Sequence, residues 1–179
     1  MSFNIKPNRY ERGFTLVELL VVIAIIGILA TMILLQLGIA RGRARDTKRV
    51  ADMSQVRSVL ELYYDENSGH YPSQTDLTML QSGGYLTRLP SDPLVGTNCG
   101  NDFSGAAVGA FNCYGYAWDP NSNPIRFQIW TELEYQSGAL NSDTDIDSTG
   151  WSGAVIDGSD EVDCNTDTPQ DCIYDIGVR

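Results

Sequence analysis

The sequence predicts an α+β protein: a long N-terminal helix, transmembrane in its first half and amphipathic in its second, packed on a small antiparallel β-sheet head. Three observations predict it. From Leu19 to Ala40 there are 22 residues without a charge, enough for one membrane span at about 1.5 Å per residue. No proline occurs between Phe14 and Glu66, and after the uncharged run Val50, Met53, Val56, Leu60, Tyr63 and Tyr64 recur at helical spacing. Further on, "IRFQIWTELE" alternates. Ile125, Phe127, Ile129, Thr131 and Leu133 fall on one face, and Arg126, Gln128, Trp130 and Glu132 on the other.

Residues 1–13 are polar and basic and contain Pro7, so they read as a short leader. Phe14 to Glu66 reads as one helix of about 53 residues, roughly 80 Å long. Residues 14–40 are apolar all round, as lipid or a packed interior requires. Residues 41–66 carry Asp52, Gln55, Arg57 and Glu61 opposite the apolar stripe and need a partner surface, so helix and head are expected to form one body. "NSG", Asn67 to Gly69, supplies the stop, and Pro72 follows it.

The head, residues 67–179, begins with a short helix in "SQTDLTMLQSGGYL", where Ser73 with Asp76 forms a loose capping box and Gly83–Gly84 ends it. "LPSDP" is an extended turn restricted by two prolines. "CYGYAW", Cys113 to Trp118, pairs with the alternating run as a hairpin across "DPNSNP". Residues 137–172 are rich in Asp, Ser, Gly and Asn, with one short strand expected around Trp151–Ile156, and "CIYDIGV" closes the sheet.

Net charge is −11, but residues 1–13 hold +2, so the remainder holds −13. That acidic balance argues against nucleic acid as the partner of the fold, because phosphate binding needs the opposite sign. Five cations, Arg41, Arg43, Arg45, Lys48 and Arg49, follow the span, against Lys6, Arg9 and Arg12 before it. Positive-inside counting alone therefore places the head in the cytoplasm. The cysteines argue the other way: Cys99, Cys113, Cys164 and Cys172 form an even set without a C-x-x-C pair or a histidine cluster, which suits two disulfides in an oxidising compartment. Of the three formal connectivities, Cys99–Cys113 with Cys164–Cys172 closes the short loops and is the one expected. Interfacial anchoring at the outer headgroups is the plain reading of the arginines.

No enzyme is expected. His70 is the only histidine and lies in the loop after the helix, and neither a G-x-S-x-G nor a P-loop spacing occurs. "DTDID", Asp143 to Asp147, offers the hard oxygens of Asp143, Asp145 and Asp147 to calcium. It is not an EF-hand, which needs glycine where Ser148 stands and glutamate where Ala154 stands. A structural calcium is thus weighed against a solvated acidic loop, and no other cofactor is expected.

"GFTLVELLVVIAIIGILA", residues 13–30, carries a carboxylate, Glu18, near the start of an apolar run. Charge inside a bilayer costs roughly 2.5–3.5 kcal/mol on insertion scales, so such an acid asks for a function. With the basic leader, Gly13 and Phe14, this stretch closely resembles the class III leader-and-helix signature of type IV pilins and type II secretion pseudopilins. "GHYPS", "GGYLTRLPSDP" and "YGYAW…FQIWTELE" are similar, more loosely, to their heads. The resemblance implies cleavage after Gly13 by a membrane prepilin peptidase, N-methylation of Phe14, and helices packed into a filament core. It also implies that Glu18 pairs there with the new α-amine of a neighbouring subunit. Many members carry a proline at the position of Leu35, and this chain does not; Gly27 and Gly38 are the only weak points of the run.

The family implies the partners as well: further copies in a helical filament, the peptidase, a membrane assembly platform with its ATPase, and minor pilins. It implies the location too: a single pass of the cytoplasmic membrane, N-terminus inside, then an extracellular pilus or a periplasmic pseudopilus. A pseudopilin head usually ends in a calcium loop soon after its strands, whereas some forty-five residues follow Glu134 here. On that ground a subunit of a type IV pilus or related filament is expected first, and a major pseudopilin second. The rival from another class is a membrane-tethered binding or sensor domain, with an uncut leader and no use for Glu18.

Overall fold

With no proline to interrupt it, helix α1 runs unbroken over Leu16–Glu66, 51 residues, in a computed structural model that describes residues 13–94, 103, 113–158 and 172–179. The chain divides into two compact units, residues 1–40 and 41–179. In the first, the described side chains of α1 are exposed throughout. By length and composition this helix can cross a membrane, and it is the one such helix among the described residues.

The second unit is built on the stripe read from the sequence. Met53, Val56 and Leu60 are fully buried, and Val59 nearly so. They pack in one core with Tyr71, Leu77, Leu80, Tyr116, Phe127, Ile129 and Leu133. After Glu66 the chain reverses through Ser68 and Gly69, both at positive φ. The Tyr71 N–H donates to the Pro124 carbonyl at 2.8 Å, fastening this loop to the hairpin turn. Helix α2 is short, Thr78–Ser82. Its N-terminus is served by Asp76, whose carboxylate accepts the Thr78 N–H at 3.0 Å; Ser73 makes no cap, so the expected capping box reduces to this one bond.

Strands β1 (Gly115–Asp119) and β2 (Arg126–Glu132) form the hairpin, with Gly115 opposite Trp130 and Asp119 opposite Arg126. The strand expected around Trp151–Ile156 shrinks to β3, Ser152–Gly153. β4, Ile173–Val178, closes the sheet against β2, and the antiparallel order is β3-β1-β2-β4. Gly177 permits a close approach of the two backbones: a Cβ there would lie 2.0 Å from the Phe127 carbonyl oxygen.

Alternation along β2 suggests one wet face, yet both are dry: only Arg126 is less than buried. Trp130 lies in a second small core with Ala154, Ile156 and Ile173. Its indole N–H donates to the Ala154 carbonyl at 2.8 Å. Ala154 and Ile156, from the described part of the acidic segment, thus cover Trp130 on one face of the sheet.

Candidate functional site

In the first unit, Thr15 and Glu18 form a reciprocal cap at the start of α1. The Thr15 N–H and Oγ1–H both donate to Glu18 Oε2, at 2.8 and 2.7 Å. The Glu18 N–H returns a bond to Thr15 Oγ1 at 3.2 Å. This is the Thr-x-x-Glu capping box, which satisfies donors that a helix start otherwise leaves open. Its signal in the sequence is "TLVE", the three-residue spacing of Thr15 and Glu18. Phe14 is 79% exposed, and a Cβ on Gly13 would meet nothing within 4 Å among the described residues. Residues 1–12 of the leader lie outside the described residues.

In the second unit, three carboxylates converge: Asp143, Asp145 and Asp175 present oxygens within 4.8 Å of one another. Asp147 stands apart, its carboxylate taken by the Thr149 N–H at 2.8 Å, and its backbone bridges to Asp157. Asp175, from "YDIG", therefore replaces it in the group. No signal within "DTDID" points to a residue some thirty positions on, because strand pairing brings it there. Asp175 is fully buried and accepts from Asp145 N, Ile146 N and the Gln128 amide at 2.9, 3.0 and 2.9 Å. Burial still pushes its pKa up, against those bonds. The Arg179 guanidinium donates to the carbonyls of Thr144 and Asp145 beside it. The donors are hard oxygens, the type a calcium ion takes, and they supply part of the six to eight it uses. So the residues fit a hard divalent cation in kind.

Comparison with known proteins bears on the first of these sites. Residues 8–34 match the prokaryotic N-terminal methylation motif. The type II secretion system core protein G of Klebsiella pneumoniae is 34% identical over 96 residues, covering 46% of this chain and 69% of the relative. Its counterpart in Vibrio cholerae is 33% identical over 110 residues, covering 55% and 72%. That of Escherichia coli is 35% identical over 107 residues, covering 52% and 70%. The chain belongs to the type IV pilin and type II secretion pseudopilin family. No solved structure matches it significantly.

In this pseudopilin-family chain three cations of the basic flank are engaged within the head, which sequence reasoning missed. Arg49 is fully buried. Its Nε and Nη2 grip Asp92 at 2.6 and 3.1 Å. Nη1 meets Asp46 and Glu134, both at 2.7 Å. Arg45 Nε donates to Glu134 at 2.7 Å, and that bond chiefly, with Arg49 adding to it, holds the Glu134 carboxyl below its usual range. Asp46 in turn accepts the backbone N–H groups of Glu134 and Tyr135 at 2.9 and 3.0 Å. Thus helix α1, the "LPSDP" turn and the exit of β2 are tied at one point. Lys48 pairs with Asp52 at 2.6 Å and donates to the Ser91 carbonyl at 2.8 Å.

Cys113 and Cys172 are both disulfide-bonded; Cys99 and Cys164 lie outside the described residues. His70 is half-buried, and its Nδ1 faces no hydrogen-bonding group. Nothing beside it forms a nucleophile–base pair among the described residues.

Proposed function

We propose that this chain is a prepilin-class structural subunit of a type II secretion pseudopilus, held in the cytoplasmic membrane until it assembles. The observation that carries the reading is Glu18 at the start of a charge-free run, inside a matched methylation motif. Cutting after Gly13 frees an α-amine on Phe14. When helices stack in register, Glu18 of one subunit is the carboxylate placed to neutralise the amine of the next. In an apolar filament core either charge alone would cost about 3–5 kcal/mol.

Relatives named for secretion reverse the order of the two filament readings: the pseudopilus stands first and a surface pilus second. The long segment after Glu134, which favoured a pilus, folds in part back over the sheet and does not argue against a pseudopilin head. The tethered sensor domain loses ground, because it has no use for a cleavage motif.

The test is made in native cells that lack any other copy. The mature subunit should begin at Phe14. Glu18→Leu should be cleaved normally, fold its head, and accumulate in the membrane with few or no filaments. Normal filament number in that strain would refute the pairing. An uncut leader in the wild type would refute the subunit reading itself.

A structural cation on Asp143, Asp145 and Asp175 is the second part of the proposal. Bound there, it would neutralise three crowded carboxylates and fix the loop 143–147 against β4. The pairings Cys99–Cys113 and Cys164–Cys172 are proposed to close the two segments on either side of the hairpin.

A further inference from the structure

Five cations follow the apolar run, and three of them are engaged. Arg45 and Arg49 serve Glu134, Asp46 and Asp92, and Lys48 serves Asp52. Arg41 and Arg43 are exposed, and neither meets a carboxylate among the described residues. Between them sits buried Gly42, against which the half-buried Tyr135 ring is laid: a Cβ on Gly42 would lie 2.2 Å from Tyr135 Cε2. Successive residues turn by about 100° around a helix. Arg41 and Arg43 therefore project on the two sides of the Tyr135-covered face, far from each other around the axis.

Height along the helix is set by the run before them. The 22 uncharged residues from Leu19 to Ala40 rise about 33 Å, against a hydrocarbon core of about 30 Å. Arg41 is the first charge beyond it. Tyr135, an amphipathic ring at the same level, is the residue type that collects at membrane–water interfaces.

We propose that Arg41, Arg43 and Tyr135 form a collar that docks on anionic lipid headgroups at the outer surface of the membrane. Its geometry suits a surface and not a single ion, because one phosphate cannot bridge two guanidiniums on opposite sides of a helix. Charge gives it a task. A chain whose residues after the leader sum to −13 is repelled by an anionic bilayer, and the collar places at the contact the two flank cations that meet no carboxylate among the described residues. The inference rests on the membrane-subunit reading but not on Glu18 pairing, so either can fail while the other stands.

The test reconstitutes the full mature chain in vesicles of phosphatidylcholine and phosphatidylglycerol, extracts it gently, and weighs the co-purifying lipids by mass spectrometry. Phosphatidylglycerol should be enriched over the bulk. Enrichment should fall roughly fivefold for each cation removed in Arg41→Gln and Arg43→Gln. It should survive Arg41→Lys with Arg43→Lys, which keeps the charge, and Arg57→Gln, an exposed cation four turns further on. Millimolar inorganic phosphate should leave it unchanged. Loss of enrichment in phosphate would mean a free-anion site and overturn the proposal. So would an unenriched wild type, or a double glutamine variant with undiminished enrichment. A double glutamine variant that keeps its lipids but loses self-association would assign the collar to an acidic neighbouring head instead.

Discussion

Replacing Arg49 by methionine should be the most damaging single change in the head. The side chain has no solvent exposure and is shared among three carboxylates. Its removal does not affect them equally. Asp46 keeps the N–H groups of Glu134 and Tyr135, and Glu134 keeps Arg45. Asp92, whose side chain is only 2% exposed, keeps the Leu94 N–H at 2.7 Å and loses a bidentate cation. Breaking a buried pair from one side costs about 3–5 kcal/mol, which in a unit of this size lowers Tm by roughly 10–20 °C. The readout is a tryptophan-fluorescence melt of the full mature chain, since Trp118, Trp130 and Trp151 all lie in the head. Most of the damage comes from a stranded anion, so adding Asp92→Asn to Arg49→Met should restore at least half of the loss. A shift under about 3 °C, or a double variant no better than the single, would refute the reasoning. Acid should act in the same direction. The folded pKa of Glu134 lies below its unfolded value, so its stabilisation is complete above the unfolded carboxylate range. It is lost as pH falls through the folded value, below about pH 4.3.

Asp175→Asn conserves shape but turns an N–H donor toward the donors of Asp145, Ile146 or Gln128, and should lower stability by about 1.5–3 kcal/mol in urea unfolding at neutral pH; an unchanged midpoint would mean the carboxylate is dispensable. The pH sign at Asp175 is opposite to that at Glu134. Its folded pKa is raised, so its charge penalty is full above that value and is relieved as pH falls toward the unfolded carboxylate range. Chelating calcium should lower the Tm of the wild-type head and expose residues 143–147 to protease, with no further loss in an Asp143→Asn, Asp145→Asn variant. Identical melts in chelator and in millimolar calcium would leave the loop to Asp175 and Arg179 alone. Peptide mapping without reduction should find Cys113 joined to Cys99 and Cys172 to Cys164; any other linkage overturns the proposed connectivity.

What the sequence made legible is what short-range periodicity controls. The stripe Met53, Val56, Leu60 and the alternation through Phe127 and Ile129 are properties of neighbours three or two apart, and both landed in the core. The N-terminal motif was legible for the same reason, since the residues that carry it are local. The rest depends on pairs that no local rule connects. Arg49 and Asp92 are 43 residues apart, and Gln128 and Asp175 are 47 apart. Arg49 falls four residues before Met53, in line with the buried stripe, as Arg41 and Arg43 do not. Asp46 on its own helix, with Asp92 and Glu134 from the head, makes it an interior residue. Positive-inside counting draws no such distinction: it gives equal weight to cations that the fold consumes and cations it leaves outside.

If Glu18 pairs as proposed, the capping box changes what it does on assembly, and it yields a sharper test than removing the side chain. Before assembly the carboxylate is already bonded to Thr15 N and Oγ1, so meeting a neighbour's amine is an exchange of partners and not the rescue of a bare charge. Such an exchange contributes little net affinity but sets register, because the amine finds its carboxylate at only one stagger of the helices. Glutamine separates the two roles. It can still cap the helix, since Thr-x-x-Gln is a competent box, but it has no charge to neutralise the Phe14 amine. Glu18→Gln should therefore be inserted, cleaved and folded like the wild type, yet give as few filaments as Glu18→Leu. If Glu18→Gln filaments reach wild-type number while Glu18→Leu gives none, the residue matters as a helix cap, and charge pairing between subunits is not what orders them.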